Sequence, residues 1–220
     1  MPEIVPEDFS TTLLCLYFAL AREGKLDAER PRVWLAEKKC HSWAELFPLD
    51  AETEVWMCRN LIEVLDGLGA NVTGEQRQRY RGLRPDVWIK DTNYAIIIEN
   101  KIKSRKQKRQ EREYLAFLHE EAFQGLRRAF LYAVPQEWLA SWEKSDFMQF
   151  VREREASDEV LRGVIAWDEE LAGFLSDRVG VPQWFRDKLP NRVSEGKFLD
   201  PGQTFWQAWG IDLDTKHRLR

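Results

Sequence analysis

Between residues 84 and 102 the chain runs Arg84-Pro85-Asp86-Val87-Trp88-Ile89, passes a short polar stretch, and continues Ile96-Ile97-Ile98-Glu99-Asn100-Lys101-Ile102. Two acids and one amine thus lie next to apolar runs of strand length. Thr92 and Asn93 suit the centre of a two-residue hairpin turn. Asp91 then pairs with Tyr94, and counting outward brings Asp86 opposite Glu99. Directly opposed residues hold their Cβ atoms about 4.5–5.5 Å apart, so two carboxylates there can share one divalent cation. The two-residue alternation of a strand puts Glu99 and Lys101 on one face and Asn100 on the other. Charges at the end of a buried strand are costly unless paired or metal-bound. A hard cation such as Mg²⁺, held by carboxylates, water and a substrate phosphate, accounts for all three side chains. Lys101 would then orient a water or offset charge on a phosphoryl oxygen. A slip of one residue would turn one acid away, and an acid-x-lysine triplet alone also describes a strand leaving a core.

The stretch after the triplet is basic. Residues 101–112 hold seven Lys or Arg and one acid, Glu111, in a chain of net charge −4. A strongly basic field over the whole molecule is excluded, so any affinity for nucleic acid must be local. Lys103, Arg105, Lys106, Lys108 and Arg109, with Arg84 upstream, form such a local patch, which suits a phosphate backbone. A solvated helix face is the plainer account of the same run.

The elements that must position these residues are legible in outline. Pro6-Glu7-Asp8 before Leu13 to Leu20 marks a helix start, with an end near Gly24. Asp50 reads as the N-cap of a second helix, with Glu52 and Glu54 in its first turn and Val55, Cys58, Leu61, Ile62 and Leu65 at helical spacing. Pro85–Lys90 and Tyr94–Ile98 read as strands, the second apolar enough to be buried on both faces. A helix over about 106–123, a strand over Ala129–Val134, a helix around Trp138–Arg154, a strand over Gly163–Trp167 and a helix capped by Asp168 follow. The last forty residues keep Trp184, Trp206 and Trp209 amid prolines, an irregular extension. The whole reads as one α/β domain of 220 residues, with a core over about 50–178 and an α-helical N-terminal portion over 1–49.

Composition sets the outer limits. Hydrophobic residues are 44% and charged residues 32%, which excludes collagen-like and wholly disordered chains. Three scattered cysteines make neither a disulfide framework nor a zinc site, and a reducing cytoplasm is the expected compartment. The apolar run Leu13–Ala21 is too short to span a bilayer, and the acids before it oppose a signal peptide.

The motif 84–102, RPDVWI then IIIENKI, resembles the core of the PD-(D/E)XK nuclease superfamily, whose fold is restriction-endonuclease-like: a mixed central sheet flanked by helices. The resemblance implies that Asp86 and Glu99 bind Mg²⁺ or Mn²⁺, that the main-chain carbonyl of Asn100 helps, and that Lys101 assists the hydrolytic water. Gln110 and Tyr114 match the QxxxY element of many relatives, although Glu111 stands where relatives often have leucine. Relatives often carry another acid on an upstream helix. On the helix expected after Asp50, Glu54 shares a side with Cys58, Leu61 and Leu65, so Glu54 is the candidate; service to the helix dipole explains it equally well. The resemblance therefore implies a metal-dependent nuclease acting on nucleic acid, DNA before RNA, in which a homodimer would suit double-strand cutting. A non-catalytic nucleic-acid-binding or assembly module on the same scaffold, and an enzyme of small phosphorylated molecules, are the alternatives.

Overall fold

The computed structural model describes residues 6–25, 31–36, 39–101, 107–135, 146–153 and 159–167. Lys103, Arg105 and Lys106, the helix expected after Asp168 and the tryptophan-rich extension lie outside the described residues. The elements in chain order are α1 (Pro6–Arg22), β1 (Arg32–Trp34), β2 (Cys40–Ser42), α2 (Trp43–Leu46), β3 (Glu54–Met57), α3 (Leu61–Gly67), α4 (Gly74–Arg79), β4 (Val87–Lys90), β5 (Tyr94–Asn100), α5 (Lys108–Leu118), a 3₁₀ turn (Glu121–Phe123), β6 (Arg127–Pro135), α6 (Asp146–Arg152) and β7 (Val160–Trp167). No helix among the described residues is long and apolar enough to cross a membrane.

One mixed seven-stranded sheet organises the chain, in the order β2-β1-β7-β6-β5-β4-β3. β5, β6 and β7 run parallel. The flanking pairs β3–β4, β4–β5, β1–β7 and β1–β2 are antiparallel. Parallel neighbours need a crossover, and α5 supplies it between β5 and β6. All seven residues of β5 are buried, as expected of a strand covered on both faces. On one face, Ile96 and Ile98 pack with α1 and with Trp43 and Phe47 around α2. On the other, Ala95, Ile97 and Trp88 pack with α3, α5 and α6. Trp88 therefore fills a hydrophobic layer, edge-on to Phe117 at 5.8 Å between ring centres, rather than lining a cleft.

The segment after Asp50 departs from the helix expected of it. Asp50 caps a turn, not a helix: its carboxylate accepts the Glu52 N–H at 2.9 Å, and the Thr53 N–H reaches its carbonyl at 3.1 Å. The chain then enters β3, the edge strand, where Val55 pairs with Ile89 and Trp56 with Trp88. Helix α3 begins only at Leu61, where the Asn60 side chain accepts the Ile62 N–H at 2.9 Å. Between them Cys58 takes a φ of 51°, a left-handed conformation that redirects the chain. The apparent helical period joined a strand and a helix, because Val55 and Leu61 both face packed layers. The N-terminal portion is likewise not wholly helical, since β1 and β2 extend the sheet beyond β7. Replacing the cap of α3, Asn60→Ala, is expected to lower stability by about 1 kcal/mol in urea denaturation; an unchanged midpoint would place the start of the helix elsewhere.

Candidate active site

The β4–β5 hairpin sets the geometry. Asp91 accepts the N–H of both Asn93 and Tyr94, closing a turn with Thr92 and Asn93 at its centre. Asp91 pairs with Tyr94, and the ladder runs outward from Lys90–Ala95 to Val87–Ile98. One further step sets Asp86 beside Glu99, the register expected from a two-residue turn. Two hydrogen bonds fix the first acid. Its carbonyl accepts the Cys58 N–H at 3.1 Å, and its Oδ2 accepts the Asn100 N–H at 2.7 Å. Alternation places Asp86 with Trp88 and Glu99 with Ile97, both on the face covered by α5. Asn100 turns the opposite way, and its amide donates to Thr11 of α1 at 3.2 Å.

Glu99 and Lys101 form a buried ion pair, Nζ to Oε1 at 2.7 Å, with only 3% and 5% of each residue exposed. Burial pushes the Glu99 carboxyl above its ordinary range; the Lys101 ammonium opposes that, with smaller help from the Gln110 amide and the Asp86 N–H. The second oxygen, Oε2, is buried with no hydrogen-bond partner among the described residues. An undonated carboxylate oxygen costs free energy when buried, and a cation between it and Asp86 would remove that cost. The donor set fits a hard divalent ion, which often takes only one or two carboxylates and fills its remaining positions with water and phosphate. Among the described residues no group of three or more His, Cys, Asp or Glu gathers at metal-binding distance.

Helix α5 brings the remaining polar groups. It starts beside the C-terminal end of β5, and its first turn carries Gln110, whose Nε2 donates to the Tyr114 hydroxyl at 3.0 Å. Tyr114 is fully buried, and its phenol is held far above its usual range by burial first and then by the charge of Glu99. A family-model match to the PD-(D/E)XK nuclease superfamily covers residues 26–161. The chain belongs to this superfamily. No curated protein and no solved structure gives a significant match. As a PD-(D/E)XK chain it carries the restriction-endonuclease-like arrangement, and nuclease chemistry with a divalent metal on a nucleic-acid substrate is typical of that superfamily.

Around this PD-(D/E)XK core the structure disperses one expected residue and adds two. Glu54 stands on β3 opposite Lys90, four residues from Cys58, which bonds Asp86. Four strand positions span roughly 13 Å. Its carboxylate instead accepts from the Trp56 indole at 2.9 Å and meets Arg59 at 3.5 Å, so Glu54 is not on a helix and does not reach the paired acids. The additions are Tyr132 and Glu111. Tyr132 is the register partner of Glu99 on β6, and its hydroxyl donates to Glu111 at 3.2 Å. Sequence reading passed over Tyr132 as one more apolar residue of a strand, because no tight turn fixes the β5–β6 register.

The basic residues flank the site. Arg81 and Arg84 are exposed before β4, and Lys108 and Arg109 are exposed in the first turn of α5. Arg79 of α4 and Arg112 of α5 share the Glu113 carboxylate, at 2.5 and 3.0 Å, tying the two helices together.

Two outcomes follow from these ion pairs. The Arg79 guanidinium, with Arg112, holds Glu113 below the ordinary carboxylate range against the opposing effect of burial. A depressed native pKa gives stability that is complete above the unfolded value of about 4.3 and is lost as pH falls through the native value. Glu113→Gln should therefore cost about 0.5–1 kcal/mol at pH 7, modest because both arginines are exposed, with the difference from the parent closing below about pH 4. Lys101→Met in metal-free protein should cost about 3 kcal/mol by leaving Glu99 charged and alone, while Glu99→Gln/Lys101→Met should recover most of it. A double variant no more stable than Lys101→Met would show that charge burial is not the source of the loss.

Proposed function

We propose that this chain is a Mg²⁺- or Mn²⁺-dependent nuclease that hydrolyses phosphodiester bonds, DNA being the first substrate to test. The observation that carries this reading is the buried Oε2 of Glu99, without a hydrogen-bond partner among the described residues and on the same face as Asp86, with Lys101 bonded to the other oxygen. Asp86 and Glu99 would hold the ion, with the main-chain carbonyl of Asn100 as a further donor. A bound divalent ion lowers the pKa of its water and offsets charge on the scissile phosphate. Lys101, held in place by Glu99, positions the attacking water, and its ammonium faces the phosphoryl oxygens. Gln110 and Tyr114 steady the Glu99 side of the site. Arg84, Lys108 and Arg109, exposed beside it, receive the phosphate backbone, joined by Lys103, Arg105 and Lys106 of the connecting segment. Free cysteines among the described residues suit a reducing cytoplasm, and a homodimer would suit cutting of both strands.

Purified full-length chain with Mg²⁺ or Mn²⁺ should cleave labelled single- or double-stranded DNA. Asp86→Ala, Glu99→Ala and Lys101→Ala should each slow cleavage on the order of 10²-fold or more. Equal cutting by all three variants would sink the assignment. Charge removal at Arg84, Lys108 or Arg109 should lower the salt dependence of DNA binding by about one counterion per contact. Binding of DNA without cleavage, and without Mn²⁺ uptake dependent on Asp86 and Glu99, would instead favour a non-catalytic module.

A further inference from the structure

The two oxygens of the Glu99 carboxylate are treated differently by the protein. Oε1 accepts from Lys101, while Oε2 is buried and accepts from nothing among the described residues. The neighbouring strand brings a phenol to the same face. Tyr132 is the register partner of Glu99 on the adjacent parallel strand, on the same face and only 1% exposed. Neighbouring strands lie about 4.8 Å apart. The Tyr132 ring is packed edge-on against Phe147 and Phe150, with ring centres 5.1 and 5.0 Å away. A phenol has one O–H to donate, and here it donates to Oε2 of Glu111 at 3.2 Å. Burial, then Glu111, then Glu99 all push the Tyr132 phenol up, so it stays a neutral donor.

We infer that Glu111 is a positioning residue: by accepting the Tyr132 O–H hydrogen bond, it keeps that hydroxyl off Oε2 of Glu99 and leaves the oxygen open to a cation. This rests on the metal-site reading proposed above. The terminal torsion of a glutamate is broad. With the acceptor at 111 removed, Glu99 can turn its carboxylate toward the released hydroxyl. A lone pair engaged by that hydroxyl binds a cation less well. Glu111 thus acts on the ion through Tyr132, without touching it.

The acceptor role has a signature that a ligand or a long-range charge would not share. Glutamine at 111 still offers an amide oxygen to the phenol, whereas leucine offers nothing. Mn²⁺ affinity, measured by calorimetry on the full chain without nucleic acid, should be near the parental value in Glu111→Gln and about tenfold weaker in Glu111→Leu. Adding Tyr132→Phe to Glu111→Leu removes the competing donor and should restore affinity, with Tyr132→Phe alone as the control and circular dichroism checking the fold of each. A crystal structure of Glu111→Leu should place the Tyr132 hydroxyl within hydrogen-bond distance of Glu99 Oε2. Parental affinity in Glu111→Leu, or a double variant as weak as Glu111→Leu, overturns the inference while the metal site stands. Equal weakening in Glu111→Gln overturns it too, assigning Glu111 a charge effect. A parent that takes up no Mn²⁺ removes the metal-site reading and this inference together.

Discussion

Holding a carboxylate and an ammonium almost wholly out of water is the constraint around which this molecule is arranged. Taking Glu99 and Lys101 from solvent costs several kcal/mol per ion before any attraction is counted, and their contact at 2.7 Å compensates only one of the two Glu99 oxygens. The pair sits where it does because β5 is covered on both faces. Lys101 directly follows β5, two residues from Glu99, and the two side chains meet on one face. The carboxylate oxygen left without a donor among the described residues sets this end of the sheet apart from an ordinary strand terminus.

The sheet topology divides the work between faces. Asn100 faces α1 and ties the helical N-terminal layer to β5 through Thr11. Glu99 faces α5, the crossover to a parallel neighbour. Because the crossover leaves the C-terminal end of β5 and runs back to the start of β6, the first turn of α5 lands on the side of Glu99 and Tyr132, bringing Gln110 and Glu111 with it. The antiparallel hairpin on the other side brings Asp86 to the same edge from the opposite chain direction. A mixed sheet accomplishes both, since β5 has one antiparallel and one parallel neighbour.

The interactions of local sequence range were readable in advance, and those of long range were not. Asp91 and Tyr94 are three residues apart, so the turn between them could be assigned from Thr92 and Asn93, and the opposition of Asp86 and Glu99 followed by counting. Gln110 and Tyr114 lie one helical turn apart and meet as such a spacing requires. The helix expected after Asp50 failed because Val55 and Leu61 share a helical spacing while belonging to different elements. Strands of three or four residues, such as β1, β2 and β3, carry too little alternation to be seen unaided, and β1 is secured by β7, more than 120 residues later.

By itself, the order of residue types determined the hairpin, the doubly buried strand, the shared face of Asp86, Glu99 and Lys101, and the superfamily resemblance. Each depends on spacing over a few residues, which the backbone geometry of a strand or helix converts directly into direction. The tertiary structure alone decided that Glu54 belongs to an edge strand away from the paired acids, and that Tyr132 and Glu111 belong beside them. Parallel pairing has no tight turn to set its register, so which side chain of β6 stands next to Glu99 is settled only when α5 and the layers it packs against close over the sheet.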